Sequence, residues 1–394
     1  MVDDILEGNG MKTSNRYYTL PTKNQSIKSD APLIIHTECS YAWGGQEIRI
    51  LEEMRGMRRY GFSTALLSPR RSQIFRRAQK EGLIVYPVSF SSKVSPVSWN
   101  SLFRLIRRLR PVVVNTHSSN DSWMAGVVAR LLKIPLIIRT RHVSTPIGST
   151  LSYRYFPHLI LTTSSSIRKD LIQHGLDGQK IISLPTGIDL EQFKFSLISR
   201  RRIRNRLGVS DNDILVGNIC VLRSWKGLDF FVDTAATMSA PFKFILVGDG
   251  PQKKRLQDKI KNMQLADRLI LTGHQEHVEE FFSALDIFFF TSYASEGVPQ
   301  SLLQALSVGL SVVVCHIPSV LEAIDGVNDI TTIDYGDLVA ARWALEQTGQ
   351  RLRKDESKGL YNRPILASRF GLENMLLRLL AIYQSHGMLS EEKE

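Results

Sequence analysis

From residue 33 onward, short runs of β-branched and other apolar residues alternate with longer amphipathic stretches, and turn residues separate them. This is the sequence form of a parallel sheet covered by helices on both faces. In the first half the pattern predicts strands at 33–37, 64–68, 84–88, 112–116, 136–140, 159–163 and 181–184. Its clearest helix is 46–60, where Ile48, Leu51, Met54 and Met57 recur every three residues and Gly61 stops the pattern. The alternation restarts in the second half, with strands at 214–221, 244–247, 269–271, 287–290 and 311–314 and helices at 228–238, 252–263, 278–285 and 299–307. Between the halves, Pro185, Thr186 and Gly187, followed by the Arg-rich and non-periodic stretch from Arg200 to Arg206, predict a linker and the start of a second domain. The expected organisation is a loose polar tail over 1–30, a doubly wound domain over 31–187 and a second over 188–365. Residues 366–394 are expected to form a helix returning to the first domain, then a tail. Open α/β sheets bind ligands at the carboxyl ends of their strands, so two sheets face to face predict a cleft.

Composition narrows the class. The 394 residues are 43% hydrophobic and 22% charged, with 26 Gly and 15 Pro, which suits two globular domains and excludes a disordered, collagen-like or proline-rich chain. The three cysteines, Cys39, Cys220 and Cys315, form no CxxC pair, which argues against a disulfide framework or structural zinc and for a reducing cytoplasm. No apolar run reaches a membrane span: the strongest candidate, 306–320, is broken by Ser307, Gly309, Ser311, His316 and Pro318. The N-terminus, with Asp3, Asp4 and Glu7, lacks the apolar core of a signal peptide. The net charge of +12 is unevenly spread: residues 1–187 hold 26 Lys and Arg against 12 Asp and Glu, whereas 188–394 hold 24 against 26. The two halves therefore face different partners.

The chemistry-bearing segments fall at predicted strand ends. After the 287–290 strand comes Ser295-Glu296-Gly297-Val298-Pro299-Gln300-Ser301-Leu302-Leu303-Gln304. Pro299 suits a first helical turn, leaving the amides of Ser301 and Leu302 free for phosphate oxygens. Glu296 can accept hydrogen bonds from sugar hydroxyls, and Gln304, about 7 to 8 Å further along the helix, can reach a second polyol such as a ribose. Arg223-Ser224-Trp225-Lys226-Gly227 follows the 214–221 strand, where two cations can neutralise a pyrophosphate. Gly248-Asp249-Gly250-Pro251 ends the 244–247 strand but carries Lys253 where a dinucleotide fingerprint needs its third glycine. In the first half, Trp43-Gly44-Gly45-Gln46-Glu47 lets backbone and helix-start amides approach an anion. His117 ends the 112–116 strand, and Arg141 and His142 end the next. Each segment alone also reads as an ordinary turn, cap or core histidine.

In combination and order these residues resemble the retaining glycosyltransferases of the GT-B fold, specifically family 4. The resemblance covers nearly the whole chain after the tail. It rests on Gly44-Gly45, His117, Pro185-Thr186-Gly187-Ile188-Asp189, Arg223 with Lys226-Gly227, the segment Val247 to Pro251, and a Glu-x7-Glu region beginning at Glu296. It implies an α/β GT-B architecture of two doubly wound Rossmann-like domains. It also implies transfer from a nucleotide-sugar, a UDP-sugar first, to a glycan or lipid-linked acceptor, with neither metal nor cofactor. By the same resemblance Arg223 and Lys226 bind the donor diphosphate, Glu296 the transferred sugar, Gly45 the phosphates, and His117 a sugar hydroxyl near the reacting carbon. The donor site would also include Gly44, Gly248, Gly250, Val298, Pro299, Gln300, Ser301, Leu302 and Gln304, and the acceptor side Arg141 and His142. One departure stands out: Gln304 replaces the second glutamate and gives up the charge assistance that roughly doubles a hydrogen bond's strength. The 296–305 run and the Gly44-Gly45-Gln46-Glu47 loop are similar to lipopolysaccharide-core and cell-envelope members.

Two other readings stay open: a nicotinamide oxidoreductase, which lacks a GxGxxG after its first strand, and a catalytically inactive relative that only binds a partner or glycan. Asp211-Asn212-Asp213, the one Asp-x-Asp, precedes its strand and so sits at the wrong sheet edge for a donor metal. The basic first half, with Arg70, Arg71, Arg76, Arg77 and the run Arg104, Arg107, Arg108 and Arg110, predicts docking on an anionic membrane surface, placing the protein peripherally at the inner face of the cytoplasmic membrane. Nothing aromatic or groove-shaped points to nucleic acid.

Overall fold

The computed structural model describes residues 31–90, 95–294, 296–352 and 362–388; the tail expected over 1–30, Ser295 and residues 389–394 lie outside the described residues. Two all-parallel sheets are present. The first runs β1 (Leu33–Thr37), β2 (Ser63–Ser68), β3 (Ile84–Pro87), β4 (Val113–Thr116), β5 (Leu136–Arg141), β6 (Leu159–Thr162) and β7 (Ile181–Ser183) in the order β3-β2-β1-β4-β5-β6-β7. The second runs β8 (Ile214–Ile219), β9 (Phe242–Val247), β10 (Leu269–Leu271), β11 (Ile287–Phe290), β12 (Ser311–Cys315) and β13 (Ile330–Ile333) in the order β10-β9-β8-β11-β12-β13. Each order reverses once, between β1 and β4 and between β8 and β11. Such reversals splay neighbouring connections to opposite faces and open a crevice at the strands' carboxyl ends.

Burial explains why the strands were readable. β1, β4, β5, β11 and β12 are buried throughout, because helices cover both faces. β13 was not anticipated: it is a half-exposed edge strand of sequence Ile-Thr-Thr-Ile, too short and mixed to stand out. The stretch Arg200 to Arg206 corrects a second expectation, for it lies in a helix, Leu197–Leu207, rather than an irregular linker. Its order comes from outside its own periodicity. Arg204 is buried and donates to the Ala284 carbonyl at 3.1 Å and to Asp286 at 2.8 Å, and Arg200 reaches the other Asp286 oxygen at 2.6 Å.

The chain crosses between the sheets twice, side by side. Ile188 N donates to Phe370 O at 2.8 Å, and Leu372 N returns the bond to Ile188 O at 2.9 Å. Gly187 permits this approach, since a Cβ there would lie 2.6 Å from the Leu372 backbone. After the second crossing, the helix Leu372–Ser385 packs Met375, Leu376, Leu379, Ile382 and Tyr383 against Ile34, Val113, Ile138 and Leu161 of the first sheet. The chain's return thus adds a helix from beyond the second domain to the first sheet's core, next to a hinge of paired backbone.

Candidate active site

The carboxyl ends of β8 and β11 form one wall of the cleft. Lys226, in a short 3-10 turn after β8, pairs with Glu296 from the loop after β11, Nζ to Oε1 2.5 Å, and the two side chains are 15% and 11% exposed. Burial pulls the Lys226 ammonium down, but Glu296 and Cys220 hold it above its usual value, so it keeps its charge. Gly227 makes the turn possible: its φ is +64°, and a Cβ would lie 2.0 Å from Thr291 O. Arg223 rests its guanidinium 5.1 Å from the Trp225 ring centroid and makes no ion pair among the described residues. It is the uncommitted cation of this wall.

The helix Gln300–Val308 starts beside this pair with Pro299 at its N-cap position, one residue earlier than expected. The amides of Gln300, Ser301 and Leu302 have no preceding turn to bond to, which creates an anion-favouring site. Side chains divide more sharply. Val298 and Leu302 are buried in the second domain's core, so only their backbone can meet a ligand, while Gln304 is half-buried with no side-chain hydrogen bond to the described residues. Gly248 and Gly250 have φ of +141° and +156° and lie against Cys220 and Leu222, where Cβ atoms would come within 1.9 and 2.7 Å of carbonyl oxygens. Leu222 N bonds Asp249 O at 2.9 Å, so these glycines brace the loop that carries Arg223.

The opposite wall comes from the ends of β1, β4 and β5. Three buried imidazoles form a column: His36 Nδ1 lies 3.1 Å from His117 Nε2, and His117 Nδ1 lies 2.9 Å from His142 Nε2. Burial lowers the pKa of all three, and for His117 the neighbouring His142 and His36 add to the effect. Both ring nitrogens of His117 are therefore spent inside the column. His142 Nδ1 makes no hydrogen bond to the described residues and is not among the sealed polar atoms, so the open imidazole nitrogen at this edge belongs to His142. Arg141 is committed elsewhere, to the Tyr153 hydroxyl at 2.7 Å and the Thr145 carbonyl.

Contacts across the cleft bring the two walls together. Gln300 Nε2 donates to Gly45 O at 3.1 Å, and Ser144 Oγ to Glu296 O at 3.2 Å. Glu322 caps the first-domain helix Ser165–Gln173, accepting from Ser165 N at 2.8 and 2.9 Å. Gly297 sits directly against the first domain, where a Cβ would come within 2.2 Å of Thr163 Oγ1 and 2.8 Å of His142 O. Glu296, Lys226, Gly45, Gln300 and His142 are thus gathered at one place from four separate segments. Sequence reading overlooked His36, Glu38, Asp121 and Glu322. Glu38 carried a usable signal, since it directly follows β1 as His117 follows β4.

The Glycosyltransferase Family 4 profile matches residues 43–192, and the profile of Glycosyl transferases group 1 matches residues 213–347, so each domain is covered by its own match. The chain belongs to the family 4 glycosyltransferases of the GT-B fold. It is 27% identical over 236 residues to UDP-Gal:alpha-D-GlcNAc-diphosphoundecaprenol alpha-1,3-galactosyltransferase of Escherichia coli, covering 55% of this chain and 61% of that one. It is 21% identical over 333 residues to the putative glycosyltransferase EpsF of Bacillus subtilis, covering 75% and 86%. Anabaena HepE, solved with UDP-glucose, superposes with a TM-score of 0.80 at 18% identity over 90% of this chain and 99% of that one, which shows a shared fold.

The first domain of this glycosyltransferase also buries acids. Thr37 Oγ1, His117 N and Ser118 N donate to Asp121 at 2.7, 3.0 and 2.9 Å, yet burial, reinforced by Glu38, pushes its carboxyl up to about 8. Burial and Glu38 likewise raise Glu47 to about 7. A carboxyl whose pKa rises on folding stabilises fully below its unfolded value, near 4, and loses that contribution as pH climbs through its folded value. The buried histidines have the opposite sign, and their contribution changes only below about 6.5. Between pH 6.5 and 8 the acids therefore act alone, and melting should weaken with rising pH by up to about 1.4 kcal/mol per unit for each ionising group. Asp121→Asn should flatten this slope in a thermal-denaturation series. An unchanged slope would mean that Asp121 is already ionised at pH 6.5. Among the described residues no three His, Cys, Asp or Glu side chains are grouped to hold a metal ion, and no helix is long and apolar enough to cross a membrane.

Proposed function

We propose that the protein is a retaining glycosyltransferase that moves a sugar from a nucleotide-sugar, a UDP-sugar first, to a glycan or lipid-linked acceptor in bacterial lipopolysaccharide or cell-envelope polysaccharide synthesis. It works without metal or cofactor. The observation that carries this reading is the Lys226–Glu296 pair beside the free amides of the helix Gln300–Val308, facing His142 across the cleft. Arg223, Lys226 and the helix-start amides stabilise the departing diphosphate. Glu296 binds hydroxyls of the sugar, Gly45 contributes its amide, and Gln304 reaches the ribose. Charge on the leaving group is the largest electrostatic demand of the reaction, and the leaving phosphate takes the acceptor's proton, so no protein base is required. Residues 31–187 take the acceptor and residues 188–365 the donor. The galactosyltransferase and HepE names point to a UDP-sugar, and a lipid-diphosphate acceptor fits the galactosyltransferase name. A thermal-shift screen against UDP-, GDP- and ADP-sugars, followed by a turnover assay on the hit, tests the donor class, because a bound donor raises the melting point by mass action. No shift with any of them would sink the reading.

Glu296→Gln separates sugar contact from nucleotide contact. The substitution releases Lys226 from its partner, so nucleoside-diphosphate affinity should hold or tighten while transfer falls about 100-fold. Equal losses in both, by calorimetry and initial rates, would assign Glu296 a structural role.

The charge of the first domain supports peripheral docking at the inner face of the cytoplasmic membrane. In the helix Pro96–Leu109, Leu102 and Ile106 are buried in the sheet's core, with Leu105 and Leu109 packed against it, so that stripe is not free to insert. Arg104, Arg107, Arg108 and Arg110 face solvent without ion pairs among the described residues. Each contributes about 1 kcal/mol near an anionic surface. Sedimentation with anionic but not neutral vesicles, lost in high salt, is the expected result; binding indifferent to lipid charge would contradict it.

A further inference from the structure

We propose that Glu53 and His36 are positioning residues that set the tautomer of the histidine column, so that His142 presents Nδ1–H to the cleft as a hydrogen-bond donor. The inference rests on the glycosyl-transfer reading of the cleft and adds two residues remote from any ligand.

Few proton arrangements are open to such a column. A neutral imidazole has one donor nitrogen and one acceptor nitrogen. A column joined by the contacts His36 Nδ1 to His117 Nε2 and His117 Nδ1 to His142 Nε2 can therefore run in only two directions. In one, every ring carries its proton on Nδ1, and the last Nδ1–H, that of His142, points out of the column. In the other, every ring carries its proton on Nε2, His36 buries that N–H, and His142 leaves a bare nitrogen in the cleft.

Two independent features of the root choose the first direction. Glu53 Oε2 lies 3.9 Å from His36 Nδ1, where a carboxylate attracts an N–H and repels a lone pair. His36 Nε2 is sealed and has no partner among the described residues, and a buried donor without an acceptor is among the rarest arrangements in proteins. Glu53 is itself fixed by Arg49, Nε to Oε1 2.7 Å. Arg49 in turn donates to Leu184 O at 2.8 Å and lies 3.3 Å from Thr186 Oγ1, on the strap that leads into the second domain. The polarity of the column is thus anchored at the hinge.

The chemical consequence is specific. With Nε2 of His142 accepting from His117 and Nδ1 already protonated, His142 has no free lone pair with which to take the acceptor's proton. It can steady only an oxygen: a sugar hydroxyl or a phosphoryl group. Reversal of the column would convert that donor into a bare acceptor, while leaving the diphosphate contacts on the other wall untouched.

Ring-nitrogen NMR of the full chain labelled with 15N-histidine tests the proposal directly, because protonated and bare imidazole nitrogens have distinct shifts; single substitutions assign the three residues. The wild type should show His36, His117 and His142 protonated on Nδ1. In Glu53→Gln the amide can donate to His36 Nδ1 and reverse the column, so His142 should move to the Nε2–H form. Turnover should then drop about 100-fold, with nucleoside-diphosphate affinity unchanged. If this variant misfolds through its uncompensated arginine, Arg49→Met/Glu53→Gln removes the pair together and should leave His142 as a mixture of tautomers. Finding His142 protonated on Nε2 in the wild type, or no tautomer change in a folded variant, would overturn the proposal. A reversed column with undiminished turnover would instead overturn the place of His142 in transfer, and with it that part of the functional reading.

Discussion

Lys226→Ala is expected to lower turnover about 100- to 1000-fold, the usual loss when one contact to developing charge is removed from a partly dry site. The structure adds a complication that sequence alone does not suggest. Lys226 Nζ lies 2.5 Å from Glu296 Oε1, and removing the cation leaves that carboxylate without its partner in a largely buried place. Some stability should therefore be lost together with activity. The double variant Lys226→Ala/Glu296→Gln separates the two effects: the melting point should recover while turnover stays low. Arg223→Ala provides a cleaner comparison, because Arg223 has no ion pair among the described residues and stacks only on Trp225. It should lose a similar factor in turnover with little change in melting. Near-normal turnover in both folded single variants would place the donor diphosphate elsewhere.

Gly297→Ala is the second large effect, about 100-fold in turnover, on the order of what a displacement of about 1 Å costs at a reacting centre. The added methyl would meet Thr163 Oγ1 at 2.2 Å and His142 O at 2.8 Å, both on the other domain. Opening the cleft relieves this clash without unfolding either sheet, so the melting point should barely change. Nucleotide binding should fall far less than turnover, since all its contacts except the Gly45 amide lie on the second domain's wall. Thr163→Ala removes the closest atom, and Gly297→Ala/Thr163→Ala should regain part of the lost rate. A double variant no better than the single one would show that the clash with Thr163 does not limit closure. Steady-state rates and calorimetry on the four proteins decide the matter.

The architecture was readable from residue pattern because strands buried on both faces must be apolar throughout and their covering helices must be amphipathic. Strands 33–37 and 287–290, both buried throughout, were placed at their observed bounds for this reason. The same physics explains the two failures. β13 is an edge strand whose Thr-Thr centre is partly exposed, and Arg200 to Arg206 is helical because Arg200 and Arg204 find Asp286 and the carbonyls at 284 and 285. Neither a partner some 80 residues distant nor an edge position leaves a periodic trace in the local sequence.

The site divides along the same line. Residue type and strand-end position already pointed to Lys226, Arg223, Glu296 and the helix start after Pro299, because a doubly wound sheet exposes its chemistry at strand ends. Local sequence could not show that Lys226 and Glu296, 70 residues apart, neutralise one another, nor that Val298 and Leu302 point into the core. It singled out His117 and His142 by type and strand-end position, yet which of three imidazoles keeps a nitrogen open depends on how β1, β4 and β5 align side by side. That alignment places His36, His117 and His142 within hydrogen-bonding reach although 81 and 25 residues separate them. Local propensity and burial periodicity act over a few residues and set the elements. Pairing of charges, stacking of rings and closure of the cleft act between elements, and only the packed chain determines them.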